Sequence, residues 1–159
     1  RCGGMSADRQ KTLAAAAALA YVEEGMTLGL GSGSTAEIFV RLLGERIKDG
    51  LRIQAVATSN QTAELAREVG VPLIDVDHVN HISVTVDGAD EVDGHFQLIK
   101  FVPDGGHYIL DCACGAIPDA AMVDYRLKAL PGVVEHGLFI GLARVVIVGE
   151  DNEARVLEL

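Results

Sequence analysis

The sequence predicts an α/β fold built on a doubly wound, mostly parallel sheet. Three observations carry that prediction. Short apolar runs of strand length alternate with helix-forming stretches through the first part of the chain. Glycines or Gly-Ser clusters stand at the changeovers, and the connections are too short for an unrelated element to intervene.

Taken in order, residues 8–24 carry strong helix formers throughout, with Gly25 as their stop. Residues 26–30 form a short apolar strand, and Gly31-Ser32-Gly33-Ser34-Thr35 leads into a helix over residues 36–48. A strand over residues 53–57 and a helix over residues 61–69, ended by Gly70, repeat the pattern. Residues 71–76, interrupted by Pro72, and residues 82–86 are the next expected strands. After Lys100 the alternation changes. A turn at Asp104-Gly105-Gly106 precedes an expected strand over residues 108–112, a helix over residues 119–130 ended by Pro131-Gly132, and strands over residues 133–139 and 145–148. The expected organisation is a first domain over residues 5–100, a small-domain piece over residues 101–140, and a C-terminal strand region over residues 141–159 that rejoins the first. Residues 1–4 precede Met5, which reads as an initiator.

With 159 residues, 49% of them apolar, the chain has the size and the core material of one domain, or of one domain with a small appendage. Its net charge of −10 offers no basic stripe to neutralise a nucleic-acid backbone, so nucleic acid is not an expected partner. The alanine-rich stretch of residues 13–20 is too short to span a bilayer and lacks the flank of a signal peptide, so no membrane partner is expected. A cytoplasmic or organelle-matrix location follows. Cys2, Cys112 and Cys114 are too few for a disulfide framework, and the pair at 112 and 114 reads as packing rather than as a metal site.

Two motifs and a lysine carry the chemistry. Between the first strand and its helix, the glycines of residues 29–35 let the backbone turn tightly. Ser32, Ser34, Thr35 and the free amides of the helix start could then hold an anion. No lysine follows the last glycine as in a Walker loop, and the third glycine of a dinucleotide fingerprint is absent. Alone, the loop reads equally as a structural turn. At the end of the strand over residues 82–86 stands Asp87-Gly88-Ala89-Asp90-Glu91, either an acidic turn satisfying its own amides or a carboxylate pair facing a substrate. Lys100 closes the next apolar stretch, where a lysine is most often simply solvated. Together they put an anion loop, two carboxylates and a lysine at successive strand ends, where open α/β sheets bind their ligands.

On these residues the chain resembles the A-type ribose-5-phosphate isomerase family. The matching text is GLGSGSTAEIFVRLL, TSNQTAELAREVGVPLIDVD, VTVDGADEVDGHFQLIK and PGVVEHGLFIGLARVVIVG, in the family's order from about Met5 onward. The resemblance implies a Rossmann-like doubly wound sheet with a partial small α+β domain, assembled as a homodimer or homotetramer. It implies interconversion of ribose 5-phosphate and ribulose 5-phosphate through an enediolate, with no metal or redox cofactor and a small sugar phosphate as partner. Residue by residue, Ser32, Gly33, Ser34 and Thr35 match the family's first substrate loop, and Asp87, Gly88, Ala89 and Asp90 match its second. Lys100 matches the lysine opening the third loop, and Lys11 a basic residue near the phosphate. By analogy Lys100 would stabilise the oxyanion, while Asp87 and Asp90 would bind sugar hydroxyls and assist ring opening.

The departure from the pattern is abrupt. In the family the lysine is followed by a glycine-rich loop and then by the glutamate that acts as base. Here Lys100 runs into Phe101-Val102-Pro103-Asp104-Gly105-Gly106-His107, text from inside the family's small domain. A block of roughly sixty residues, comparable to the smallest ordinary domains, is missing. Glu91, Asp104 and His107 are the nearby titratable groups, with no sign that any replaces the base. The expected consequence is weakened substrate binding with low or absent isomerisation. The alternatives are a sugar-phosphate-binding module without catalysis and a deletion or splicing product without a function of its own.

Overall fold

The computed structural model describes residues 3–88, 117–133, 136, 138 and 140–158, with only the backbone described for residues 3–6. The expected strand over residues 108–112, the cysteines at 112 and 114, and the site residues Ala89, Asp90 and Lys100 lie outside the described residues. Two compact units divide the chain, one of residues 1–90 and 147–157, the other of residues 91–146 and 158–159.

In the first unit the order is α1 (Gly3–Ala18), a 3₁₀ turn (Leu19–Tyr21), β1 (Thr27–Leu30), α2 (Ser34–Lys48), β2 (Gln54–Ala57), α3 (Asn60–Val69) and β3 (Val84–Val86). The sheet is parallel with strand order β2-β1-β3. Central β1 is buried from Leu28 to Leu30, as a parallel strand covered on both faces must be. Its neighbours are in register, with Leu30 opposite Ala57 on one side and Val86 on the other. After β1 the chain steps to β2 and returns on the opposite side as β3. That makes the gap between β1 and β3 a topological switch point, where a crevice opens at the carboxyl ends of the strands.

Leu28, Leu30, Phe39, Val40 and Leu43, each at most 1% exposed, form the centre of the core. Ala15, Ala18, Ile53, Ala55, Leu65, Ala66 and Val71 surround them. The small side chains of α1 let it approach α2 closely, and Gly44 does the same for α2 against α3, since a Cβ there would come within 2.8 Å of Val69. Helix α3 is bounded as its sequence suggests. Ser59 accepts from the Thr62 N–H at its start, and Gly70 takes the left-handed conformation (φ 85°) at its end.

Several expectations are corrected. Helix α1 ends at Ala18 rather than Glu24. Val22 turns extended and inserts into the core, and Gly25 (φ 79°) instead turns the chain into β1, its N–H donating to the Arg52 carbonyl. Residues 71–76 make no strand. Pro72 has no N–H to give, so the segment manages one bridge, Leu73 to Ala55. Asp75 then accepts from the Asp77 N–H and starts a 3₁₀ turn over Val76–His78.

In the second unit, α4 (Ala120–Lys128) begins at Asp119, whose carboxylate accepts from the Met122 N–H. The expected strand over residues 133–139 is not found at its described residues Val133, His136 and Leu138. His136 folds back locally, its Nδ1 accepting from the Leu138 N–H at 3.2 Å. Strands β4 (Val145–Gly149) and β5 (Ala154–Glu158) pair as a two-stranded ribbon. Residues 147–157 of that ribbon belong to the first unit, where Ile147 joins the core and Gly149 lies directly against the Gln10 carbonyl. Among the described residues, no helix is long and apolar enough to cross a membrane.

Candidate functional site

The site grows from the aligned ends of β1 and β3. Because Leu30 pairs with Val86, the next residues, Gly31 and Asp87, emerge side by side, and the Gly31 N–H donates to the Val86 carbonyl at 2.8 Å. Only glycine fits at 31, since a Cβ would overlap the Asp87 carboxylate. Asp87 Oδ1 accepts from two amides, those of Ser32 and Gly88, each at 3.0 Å. One carboxylate oxygen thus ties the first loop to the second. Gly88 completes the fit, for a Cβ there would approach the Ala36 amide to 2.9 Å and the Ser32 carbonyl to 3.3 Å.

Helix α2 starts directly above this junction. Gly33 (φ 95°) stands at its N-cap with no side chain to satisfy the helix, and the Gly33 carbonyl accepts from the Glu37 N–H. The first turn of a helix carries a partial positive charge from its aligned amides, which favours an anion there. Lys11 reaches this same place from α1, its Nζ donating to Ser34 Oγ at 2.6 Å in a half-buried contact. Cation, hydroxyl and helix start together suit a phosphate, and the neighbouring Asp87 suits a hydroxylated chain.

Of the residues expected from sequence, the structure brings together Lys11, Ser32, Gly33, Ser34, Thr35, Asp87 and Gly88. Ala89, Asp90 and Lys100 lie outside the described residues, so their place relative to these is not part of the geometry. Among the described residues, no cluster of His, Cys, Asp and Glu is suited to a metal ion.

Sequence reasoning missed a second layer behind the loop. Thr58 gives both its N–H and its hydroxyl to the Leu30 carbonyl, at 3.0 and 2.9 Å. Thr62, 3% exposed, donates its hydroxyl to the Gly31 carbonyl at 3.0 Å. Gln61 Nε2 reaches Glu37 Oε1 at 2.6 Å and fastens α3 to α2. The available signal was the run Thr58-Ser59-Asn60-Gln61-Thr62: a serine N-cap followed three residues later by threonine, where a capping box would have glutamate or glutamine.

The model of the family described as ribose 5-phosphate isomerase A (phosphoriboisomerase A) matches the chain in two pieces, residues 54–102 and 100–153. The pieces overlap at residues 100–102, which include Lys100. A ribose-5-phosphate isomerase A of Maricaulis maris (strain MCS10) is 52% identical over 233 aligned residues, covering 98% of this chain and 100% of the relative. One from Allorhizobium ampelinum is 37% identical over 229, covering 97% and 99%. Alignments of that length exceed the 159 residues here, so they carry an interior gap where the relatives have a block that this chain lacks. Among solved structures, a D-ribose-5-phosphate isomerase in complex with phospho-erythronic acid superposes with a TM-score of 0.83 at 27% identity, covering 94% of this chain and 98% of that one. The ribose 5-phosphate isomerase A of Methanocaldococcus jannaschii, 23% identical with a TM-score of 0.81 and coverage of 94% and 98%, shares the fold.

Proposed function

The chain belongs to the ribose 5-phosphate isomerase A family, and from that premise we propose that it binds ribose 5-phosphate and isomerises it to ribulose 5-phosphate slowly or not at all. The observation carrying this reading is the contrast between an assembled anion loop and a family match that breaks at Lys100. The Asp87 carboxylate locks the loop to the second substrate loop, and Lys11 stands at its helix start.

In this reading the phosphate sits on the α2 start, held by Lys11, Ser32, Ser34, Thr35 and the amides there, and fixes the non-reacting end of the sugar. Asp87 and Asp90 accept from sugar hydroxyls and assist ring opening, while Lys100 stabilises the enediolate oxyanion. Moving the proton between adjacent carbons needs a base, which in the family is the glutamate of the missing block. Base catalysis is worth about 10²–10⁴-fold, and its loss alone accounts for a strong deficit. Assembly as a homodimer or homotetramer in the cytoplasm belongs to the same proposal, with light scattering on the purified chain as its check.

The test is a paired measurement on the purified chain: ribulose 5-phosphate formation, and calorimetric titration with ribose 5-phosphate. Binding without appreciable turnover is expected. Turnover at an ordinary enzymatic rate would mean that another residue serves as base, and absence of binding would leave the deletion-product reading. The break at Lys100 favours a module that binds without catalysis as the second reading, and stabilisation by ligand with no turnover at all selects it.

A further inference from the structure

The peptide unit joining Gly31 to Ser32 is gripped at both ends. Its carbonyl accepts from the buried Thr62 hydroxyl at 3.0 Å, and its N–H donates to Asp87 Oδ1 at 3.0 Å. Thr62 is itself buried, 3% exposed. Its hydroxyl is not needed to cap α3, because the Ser59 hydroxyl already accepts from the Thr62 N–H at 3.2 Å. Ser59 Oγ instead donates to Thr62 Oγ1 at 3.0 Å, which leaves the Thr62 proton to point at Gly31. The run Ser59 Oγ, Thr62 Oγ1, Gly31 carbonyl is thus a directed chain from the cap of one helix to the loop before another. Its members polarise one another in the same sense.

We propose that Thr62, oriented by Ser59, is a positioning residue for phosphate recognition. It sets the plane of the 31–32 peptide, and with it the direction of the amides that follow at the start of α2. Asp87 cannot do this alone, because a single hydrogen bond to the N–H leaves the peptide free to rock about that contact. A second bond on the carbonyl removes this freedom, and the α2 amides are then presented to the anion without reorganisation on binding. The proposal rests on the reading of residues 31–35 as the phosphate loop.

Two readouts test it, one with ligand and one without. Thr62→Val keeps the shape and removes the hydroxyl, whereas Thr62→Ser restores it. In calorimetry with ribose 5-phosphate, T62V is expected to bind about tenfold more weakly than wild type, a change equivalent to about 1.4 kcal/mol, with T62S within about twofold. In amide hydrogen exchange by NMR, T62V is expected to speed exchange at Ser32 while leaving Leu28 and Ala55 of the sheet unchanged. A merely structural threonine would not produce that pattern. Equal affinity in T62V and wild type overturns the proposal. So does Ser32 exchange that is unchanged, or that rises only in step with Leu28 and Ala55. Absence of binding by the wild-type chain brings down the functional reading instead, and the exchange data still decide whether Thr62 holds the peptide. If T62V does not fold, Ser59→Gly removes the orienting hydroxyl at a position where glycine is tolerated, and the same selective change at Ser32 is required.

Discussion

The first unit and the described part of the second treat their apolar residues in opposite ways. In the first, Leu28, Leu30, Phe39, Val40 and Leu43 are essentially inaccessible to solvent. In the second, α4 buries none of its residues fully, and Tyr125 and Leu142 are 72% and 74% exposed, with Met122, Leu130 and Ile140 near half. The same physical drive acts on both sequences. What differs is whether enough chain is present to satisfy it. The first unit keeps its parallel sheet and the helices that cover it, while the second spans the junction after Lys100 where the relatives' additional block would stand. An isolated exposed leucine is ordinary, but so many large apolar side chains exposed on one short helix and the turns after it are the kind of surface a covering element would bury.

The strongest way to break this comparison is to supply the block. Inserting the corresponding segment of the Maricaulis maris relative between Lys100 and Phe101 is expected to raise ribulose 5-phosphate formation by about 10²–10⁴-fold, the worth of a restored general base. The same insertion should reduce binding of a hydrophobic dye. A chimera that turns over no faster than the parent would remove the missing block as the explanation for the low activity proposed above.

Next in size is a pair of truncations. Leu43→Ala in the first core is expected to cost about 2–5 kcal/mol in denaturant unfolding, because the transfer loss and the cavity add. Tyr125→Ala, at an exposed position on α4, is expected to stay within about 0.5 kcal/mol. Comparable costs would mean that the two units are packed alike and would dissolve the contrast.

The smallest effect concerns the polar side of α4. Asp124 Oδ1 lies 2.8 Å from Lys128 Nζ and 3.0 Å from His136 Nε2. The hydrogen bond from Lys128 is the largest influence; helped by the charges of Lys128 and His136, it outweighs the opposing effect of burial and holds the carboxyl below the ordinary 3.8. A carboxyl depressed in the folded state contributes stability above its unfolded pKa and loses it as pH falls through the folded value, so this clasp fades only in acid below about pH 4. Lys128→Met should move the Asp124 titration, followed by carboxyl NMR, back toward 3.8 with little change in melting temperature at neutral pH. An unmoved titration would mean that Lys128 is not the partner that matters.

Much of the first unit was legible in the sequence because its signals are local. The glycines of residues 29–35 and Asp87 at a strand end announce their turns through backbone chemistry. The structure joins them through the Asp87 carboxylate, since the strands that carry them, β1 and β3, are neighbours in the sheet. Lys11, inferred only from the family resemblance, stands against Ser34. What failed was governed by long-range competition. Residues 71–76 have the composition of a strand, but Pro72 and Asp75 spoil the ladder, and Val22 leaves its helix to fill the core. Thr62 was invisible for a related reason. Its significance lies in a carbonyl 31 residues away, and a threonine in the first turn of a helix announces nothing by itself.

The double grip on the 31–32 peptide also fixes an order of events during synthesis. The loop leaves the ribosome before either of its anchors. Thr62 follows 31 residues later, and Asp87 a further stretch on, 55 residues after Ser32. Until β3 has been made and has docked beside β1, the glycine segment has nothing to oppose Thr62. A nascent chain halted before residue 87 would carry the whole glycine loop with no means of holding its shape. The loop, though encoded near the start, is among the last parts of the sheet to mature.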